Sequence, residues 1–326
     1  GGGLSVSHGG QSAPGHVPVL ARVALDWLRV REDGVYVDCT VGAGGHAALM
    51  AQRTSCGRVI ALDRDPLAVE TARSRLAAFP QVTVVHANYG DLRKVLAEQG
   101  LAKVDGILFD AGMSGMQLDD PSRGFSFQGE GPLDMRMDPG QELTAERYLA
   151  RVTEPELTRV LSEYGDVRRA RRIAASIVRR GSEGRLRTTG DLVDAIREAL
   201  RIERKIPEEA RTVFQAIRIA VNDEYRLLES GLRQAIECLA PFGRLVAISF
   251  HSGEDRIVKR VFQEAGSVRR ELYPDGRVAR TLPAVLDILT PRPVQPSQAE
   301  RRSNPRARSA RLRAAMRRPE SSAERT

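Results

Sequence analysis

Val35-Tyr36-Val37-Asp38-Cys39-Thr40-Val41-Gly42-Ala43-Gly44-Gly45-His46 runs from a short apolar strand through an acid into a glycine-rich turn that opens a helix. Glycines let a backbone turn sharply there and approach a ligand closely. About 20 residues further on, the distance usual for a ribose-binding acid, a second strand from Arg58 to Leu62 ends in Asp63, where a carboxylate can accept hydrogen bonds from ribose hydroxyls. The same rhythm continues outward. Strands are expected at Val82 to Val85 and at Val104 to Asp110, with helices beginning near Gly45, Pro66 and Asp91. Short apolar strands separated by helix-length segments predict an α/β fold with a parallel, doubly wound sheet.

That rhythm stops after Asp110 and resumes at Arg244 to Phe250, a buried strand that follows the turn Pro241-Phe242-Gly243. Between them lies a loop rich in Gly, Met and Asp up to about Pro139. Helical segments follow near Thr144 to Tyr148, Glu154 to Tyr164, Val167 to Arg180 and Thr189 to Arg201, and a further helix is expected from Val213 to Leu239. The simplest organisation is a discontinuous catalytic domain, 16–113 and 214–299, with a mainly helical insertion for substrate recognition at 114–213. A disordered lead-in at 1–15, rich in Gly, Ser and His, and a basic C-terminal tail at 300–326 flank it.

With 41% hydrophobic and 28% charged residues, the chain has an ordinary globular balance, which excludes collagen, a disulfide scaffold or a wholly disordered polymer. The three cysteines, Cys39, Cys56 and Cys238, have no close pairing of the kind that structural zinc or redox dithiols need, so no metal is expected. No apolar run approaches the roughly 18 residues of a membrane span, and the beginning of the sequence does not read as a signal peptide, so a cytoplasmic protein is expected. The last 27 residues carry nine Arg against three Glu, most of the net charge of +8. Such a tail suits a polyanion or is simply solvated.

Gly42, Gly44 and Ala47 loosely satisfy the dinucleotide fingerprint, which makes an oxidoreductase the competing reading. Asp38, just before the glycines, argues against a pyrophosphate and suits the cationic methionine part of S-adenosylmethionine. Asp110, at the end of the fourth strand, is expected to face the same crevice, where a carboxylate can assist an amino group in losing a proton.

The chain resembles the bacterial small-subunit ribosomal RNA methyltransferase H family, also called MraW. The resemblance rests on Asp-x-Thr-x-Gly-x-Gly-Gly-His at Asp38 to His46, Gln117-Leu118-Asp119-Asp120, Arg123-Gly124-Phe125-Ser126-Phe127 and Gly131-Pro132-Leu133-Asp134-Met135-Arg136-Met137-Asp138. Further on come Phe214-Gln215-Ala216-Ile217-Arg218-Ile219, Ser249-Phe250-His251-Ser252 with Glu254-Asp255-Arg256, and Asn304-Pro305-Arg306-Ala307-Arg308-Ser309-Ala310. These motifs occur in order between His16 and Leu312. The resemblance implies a Rossmann-like methyltransferase sheet and methyl transfer from S-adenosylmethionine to the exocyclic N4 of a cytidine in the decoding region of 16S rRNA. It places cofactor residues at Gly44, Gly45, His46, Asp63, Tyr89, Asp110 and Gln117, and Asp110 is also the expected catalytic carboxylate. The implied partner is 16S rRNA within the 30S ribosomal subunit, with a homodimer left open. The chain departs from the family pattern at Ala111-Gly112-Met113-Ser114-Gly115, where Leu-Gly-Val-Ser-Ser is usual, at Tyr89 for Phe, and at Gly253 for Leu. Gly253 is expected to loosen its turn.

Other residues carry two readings each. His251 either contacts substrate or is a structural hydrogen-bonder. Arg123, Phe125 and Phe127 either bind RNA by charge and stacking or pack the insertion. The Val167 to Arg180 helix, with Arg168, Arg169, Arg171, Arg172, Arg179 and Arg180 on a polar face, is expected to meet phosphates. Asn304 to Leu312 is expected to fold onto the catalytic domain or to order on RNA, with disorder beyond about Arg317. Beside methyl transfer and the oxidoreductase, a third reading is a noncatalytic RNA-binding protein on the same fold.

Overall fold

The computed structural model describes residues 18–319, so the expected lead-in at 1–15 and the last residues of the chain lie outside it. Nine strands are present among these residues: β1 Val35–Asp38, β2 Arg58–Asp63, β3 Val82–His86, β4 Val104–Asp110, β5 Leu239–Ser249, β6 Arg269–Leu272, β7 Val278–Leu282, β8 Leu286–Ile288 and β9 Arg311–Arg317. Seven form one sheet in the order β3-β2-β1-β4-β5-β9-β8, and β6 and β7 form a separate hairpin. Neighbours from β3 to β5 are parallel, whereas β9 is antiparallel to both β5 and β8. Val37, Ile60, Leu62, Ile107 and Leu108 are fully buried, as expected of parallel strands covered on both faces.

Helices α1 Ala21–Leu28, α2 Gly45–Arg53, α3 Pro66–Leu76 and α4 Leu92–Glu98 alternate with the first strands. Asp65 starts α3 with Pro66 at its first position, its side chain accepting the Leu67 N–H. After β4 come α5 Gly115–Asp119, α6 Ala145–Leu149, α7 Glu154–Gly165, α8 Ala170–Ser182, α9 Thr189–Leu200 and α10 Ala210–Asn222. A core of their own, from Phe125 and Leu133 to Ile217 and Val221, holds the helical body together. It draws on α10, so the helical packing runs past position 213. The single helix expected from Val213 to Leu239 is two, α10 and α11 Glu224–Cys238, broken at Asp223 in a left-handed conformation with φ 51°. The turn Pro241-Phe242-Gly243 lies inside β5 as an irregularity in its pairing with β4. The chain returns along α12 Ser252–Ala265 and, after the hairpin and β8, along α13 Gln298–Ser303.

Part of the basic C-terminal segment forms β9, the strand between β5 and β8. Leu312, Ala314 and Ala315 are fully buried, and Arg313 is itself buried, held by Asp255 through two hydrogen bonds of 2.7 and 3.0 Å. Charge counting treats every arginine as solvated. Here Leu312, Ala314 and Ala315 between the arginines let the segment enter a sheet, and a buried carboxylate on α12 neutralises the buried Arg313 guanidinium. The fold-back alternative for Asn304 to Leu312 therefore holds, and the ordered chain extends through Arg317.

Candidate active site

Strand order reverses between β1 and β4, and there, beyond the carboxyl ends of the strands, lies a cavity of about 720 Å³. An open α/β sheet is expected to bind its ligand in that crevice. The glycine turn makes one wall. Gly42 and Gly44 take φ of +50° and +83°, a region that disfavours side chains, and the Gly42 N–H donates to Asp63 Oδ2 at 2.9 Å. Gly45, His46, Asp63, Tyr89, Asp110 and Gln117 all line the cavity. Gly44 does not; it shapes the turn at the start of α2. Asp38 is fully buried beneath the turn rather than on the wall, with Oδ1 accepting the Thr40 N–H at 3.1 Å. Burial, helped by repulsion from Asp63, pushes its carboxyl up to about 7.

Asp110 is the electrostatic centre. Its Oδ2 lies 3.5 Å from His46 Nδ1, and its Oδ1 has no hydrogen-bond partner among the described residues. Burial, with smaller contributions from the negative charges of Asp38 and Glu254, raises its carboxyl to about 8. Burial also lowers His46 to about 4, so the imidazole is neutral near pH 7. His46 Nε2 is 3.2 Å from the Val19 carbonyl, which can only accept, so Nε2 carries the proton and Nδ1 offers its lone pair to Asp110.

Gln117 reaches the cavity wall with its amide already engaged. Nε2 donates to Asp65 Oδ2 at 3.0 Å, and Oε1 accepts the Ser114 N–H in a capping box for α5. Tyr89 packs edge-on against Phe109, with ring centroids 5.5 Å apart, and burial raises its phenol. Arg64, Arg218 and Arg306 also line the cavity and went unassigned in the sequence reading. Arg218 forms a partly buried bidentate pair with Glu224, at 2.8 and 3.0 Å. Arg306 arrives from the segment before β9, and its guanidinium occupies the space a side chain at Gly115 would need. Its membership of a motif was the one available signal; its position depends on a tertiary fold-back.

His251 precedes α12, its Nδ1 accepting the Glu254 N–H at 3.5 Å and its Nε2 lying 3.0 Å from Glu254 Oε1. Those contacts are structural, and His251 is not on the cavity wall. Gly253 does not leave a gap, contrary to the expected loosening: a Cβ there would stand 1.8 Å from the Tyr225 hydroxyl, which fills the space. Arg123, Phe125 and Phe127 resolve to packing. Arg123 pairs with buried Asp65 at 2.9 Å and donates to the Arg136 and Met137 carbonyls, Phe125 is buried, and Phe127 meets Phe214 edge-on at 5.4 Å.

The antiparallel β9 distinguishes this sheet from the dinucleotide-binding order 3-2-1-4-5-6, in which a further crossover strand stands at that edge. A glycine turn and an acid at the end of β2, an aromatic at Tyr89 and an unpartnered carboxylate oxygen at Asp110 fit a cationic nucleoside cofactor in one cavity. Fold and site thus define a Rossmann-like methyltransferase dependent on S-adenosylmethionine. A model described as the MraW methylase family matches residues 13–318, and the chain belongs to that family. It is 48% identical to a ribosomal RNA small subunit methyltransferase H of Heliobacterium modesticaldum, over 92% of this chain and 97% of that protein. A protein of the same name from Halothermothrix orenii is 42% identical, covering 93% and 98% respectively. Among solved structures, an rRNA methylase from Streptococcus thermophilus aligns over 91% of this chain and 95% of its own with a TM-score of 0.42 and 11% identity, a likeness too remote to bear on function. Among the described residues no cluster of His, Cys, Asp or Glu is arranged to hold a metal ion, and no helix is long and apolar enough to cross a membrane.

Proposed function

We propose that this enzyme methylates the exocyclic N4 of a cytidine in the decoding region of 16S rRNA, with the assembled 30S subunit as the substrate. The names of its relatives support rRNA of the small subunit as the class of substrate. The observation that carries the chemistry is the Asp110 carboxyl, which lines the cavity and whose inner oxygen has no hydrogen-bond partner among the described residues.

When bound, S-adenosylmethionine supplies an electrophilic methyl group. Asp63, Tyr89, Gly45 and His46 line the cavity, which supports a reading in which Asp63 accepts from ribose hydroxyls, Tyr89 gives an aromatic face to adenine and the Gly44-Gly45-His46 turn takes the methionine end. Gln117 holds the floor of this site by fixing the start of α5 and by binding Asp65. A cytosine N4 lone pair is delocalised into its ring and is a weak nucleophile. The Asp110 carboxylate, on the cavity wall, accepts an N4–H, favours the pyramidal amine and takes the proton as the N–C bond forms. His46 Nδ1, 3.5 Å from Asp110 Oδ2, can accept a hydrogen bond when that oxygen carries the proton. The target base must first leave its stack, at a cost of a few kcal/mol.

Arg168, Arg169 and Arg172 are exposed at the start of α8 and form no ion pair among the described residues. The Ser252 hydroxyl lies 3.4 Å from Asp166, which sets this cluster on the side of the molecule where Phe250 lines the cavity and where phosphates flanking a flipped nucleotide would pass.

The test is transfer of labelled methyl from S-adenosylmethionine to small subunits that lack the modification. Label in the RNA fraction supports the reading. RNA binding without transfer by a folded, cofactor-binding protein would leave only a noncatalytic RNA-binding role.

A further inference from the structure

The hairpin β6–β7 stands apart from both cores. Every residue of its strands is exposed except Leu282, and the turn Tyr273-Pro274-Asp275-Gly276-Arg277 closes it with Gly276 at φ +84°. Two strands alone are marginal in water, yet Val268, Leu272, Tyr273 and Val278 are all about half exposed or more here. Arginines interrupt this apolar surface. Arg269 and Arg270 lie on β6 and Arg280 on β7, and none of the three forms an ion pair among the described residues. Arg277 pairs with Asp275 and lies over the Tyr273 ring at 5.8 Å.

We propose that this hairpin is a second docking arm, gripping RNA phosphates at a distance from the catalytic cavity. The inference rests on 16S rRNA as the substrate. Helix α12 begins next to the cavity and runs 14 residues to Ala265, whose carbonyl accepts the Val285 N–H just after the hairpin. At 1.5 Å per residue the arm is about 20 Å from the cavity mouth, measured along that helix. A short stem-loop seated at the cavity does not need such a contact; a large folded RNA does. Charge favours RNA over a protein partner. Strand alternation puts Arg269 and Arg280 on one face, with Glu271 opposite Arg280, and Arg270 with Leu272 on the other, so guanidiniums reach both faces and leave no charge-depleted centre of the kind usual in a protein interface, whereas a ribbon with arginines on both faces and a stackable Tyr273 at its turn suits phosphate and base contact.

The test compares the full chain with its combined Arg269→Gln, Arg270→Gln and Arg280→Gln variant. Each is titrated over a salt series with protein-free 16S rRNA, with assembled small subunits and with a short stem-loop carrying the decoding-region cytidine. The three residues are exposed and unpaired, so the variant should fold, and an unchanged Kd for S-adenosylmethionine checks that it has. The expected result is a roughly tenfold weaker Kd for 16S rRNA, a salt dependence shallower by about two, and unchanged binding of the stem-loop. Equal Kd and slope on 16S rRNA would overturn the proposal. So would a loss seen only with assembled subunits, which would assign the arm to a ribosomal protein. Methyl transfer by the unaltered chain is measured in parallel: its absence would count against the proposed reaction, while the difference in binding still decides the role of the arm.

Discussion

Replacing Asp110 by Asn keeps the shape of the side chain and its contact with His46 but removes the group that takes the proton. The carboxyl is raised to about 8 by burial and by its neighbours Asp38 and Glu254, so in the free enzyme it is largely neutral at pH 6. Two units below its pKa, only about one part in a hundred is ionised. The kcat/KM for the methyl donor reports ionisations of the free enzyme, so it should climb about tenfold per pH unit from pH 6 and level off above about 8. His46 does not mimic this rise, because it loses its proton near pH 4. The Asn variant should lose roughly a hundredfold to ten-thousandfold at the plateau, the usual worth of a general base, and its residual activity should no longer rise with that pKa. Asp38→Asn removes one source of repulsion and should move the rise to lower pH. The assay is initial-rate methyl transfer at fixed ionic strength across this range. A flat profile in the unaltered protein, or an Asn variant with the same rise, would refute a proton-accepting Asp110.

Three further outcomes follow from the geometry. Asp63→Ala should weaken S-adenosylmethionine binding by about 1.5–3 kcal/mol in calorimetry while leaving RNA affinity alone; equal losses in both would mark a folding defect. Gly253→Ala places a methyl against the Tyr225 hydroxyl at 1.8 Å and should cost about 1–3 kcal/mol in denaturant unfolding, whereas no loss would mean that Tyr225 does not fill that space. Arg313→Met removes the bidentate partner of buried Asp255 and should cost about 3 kcal/mol or more. A solvated tail arginine in the same place would cost less than about 0.5 kcal/mol, so a thermal melt separates the two pictures.

The parallel half of the sheet was legible because Val35 to Asp38, Arg58 to Asp63 and Val104 to Asp110 are short apolar runs each ending in an acid, a pattern fixed by burial on both faces. Gly45, His46, Asp63, Tyr89, Asp110 and Gln117 all line one cavity, whereas Gly44 shapes the turn beside it. Charge misled where partners are distant in the chain. Arg313 and Arg123 looked available for a polyanion, but Asp255 and Asp65 engage them across 58 residues in each case, a pairing no local pattern encodes. Gly253 looked permissive for the same reason, since the side chain that fills its space comes from Tyr225 on another helix. The hairpin was within reach: Pro274-Asp275-Gly276 between β-prone residues is a turn signal, yet it carries none of the motifs that drew attention elsewhere.

The most direct test is to locate the product. Small subunits lacking the modification are incubated with the enzyme and labelled S-adenosylmethionine, the 16S rRNA is cut into defined fragments, and each is analysed by nucleoside mass spectrometry. The account predicts one added methyl group, on the exocyclic N4 of a cytidine in a decoding-region fragment, and its loss with Asp110→Asn. Label on a ring carbon or a ribose hydroxyl, or in a fragment remote from the decoding region, would contradict it.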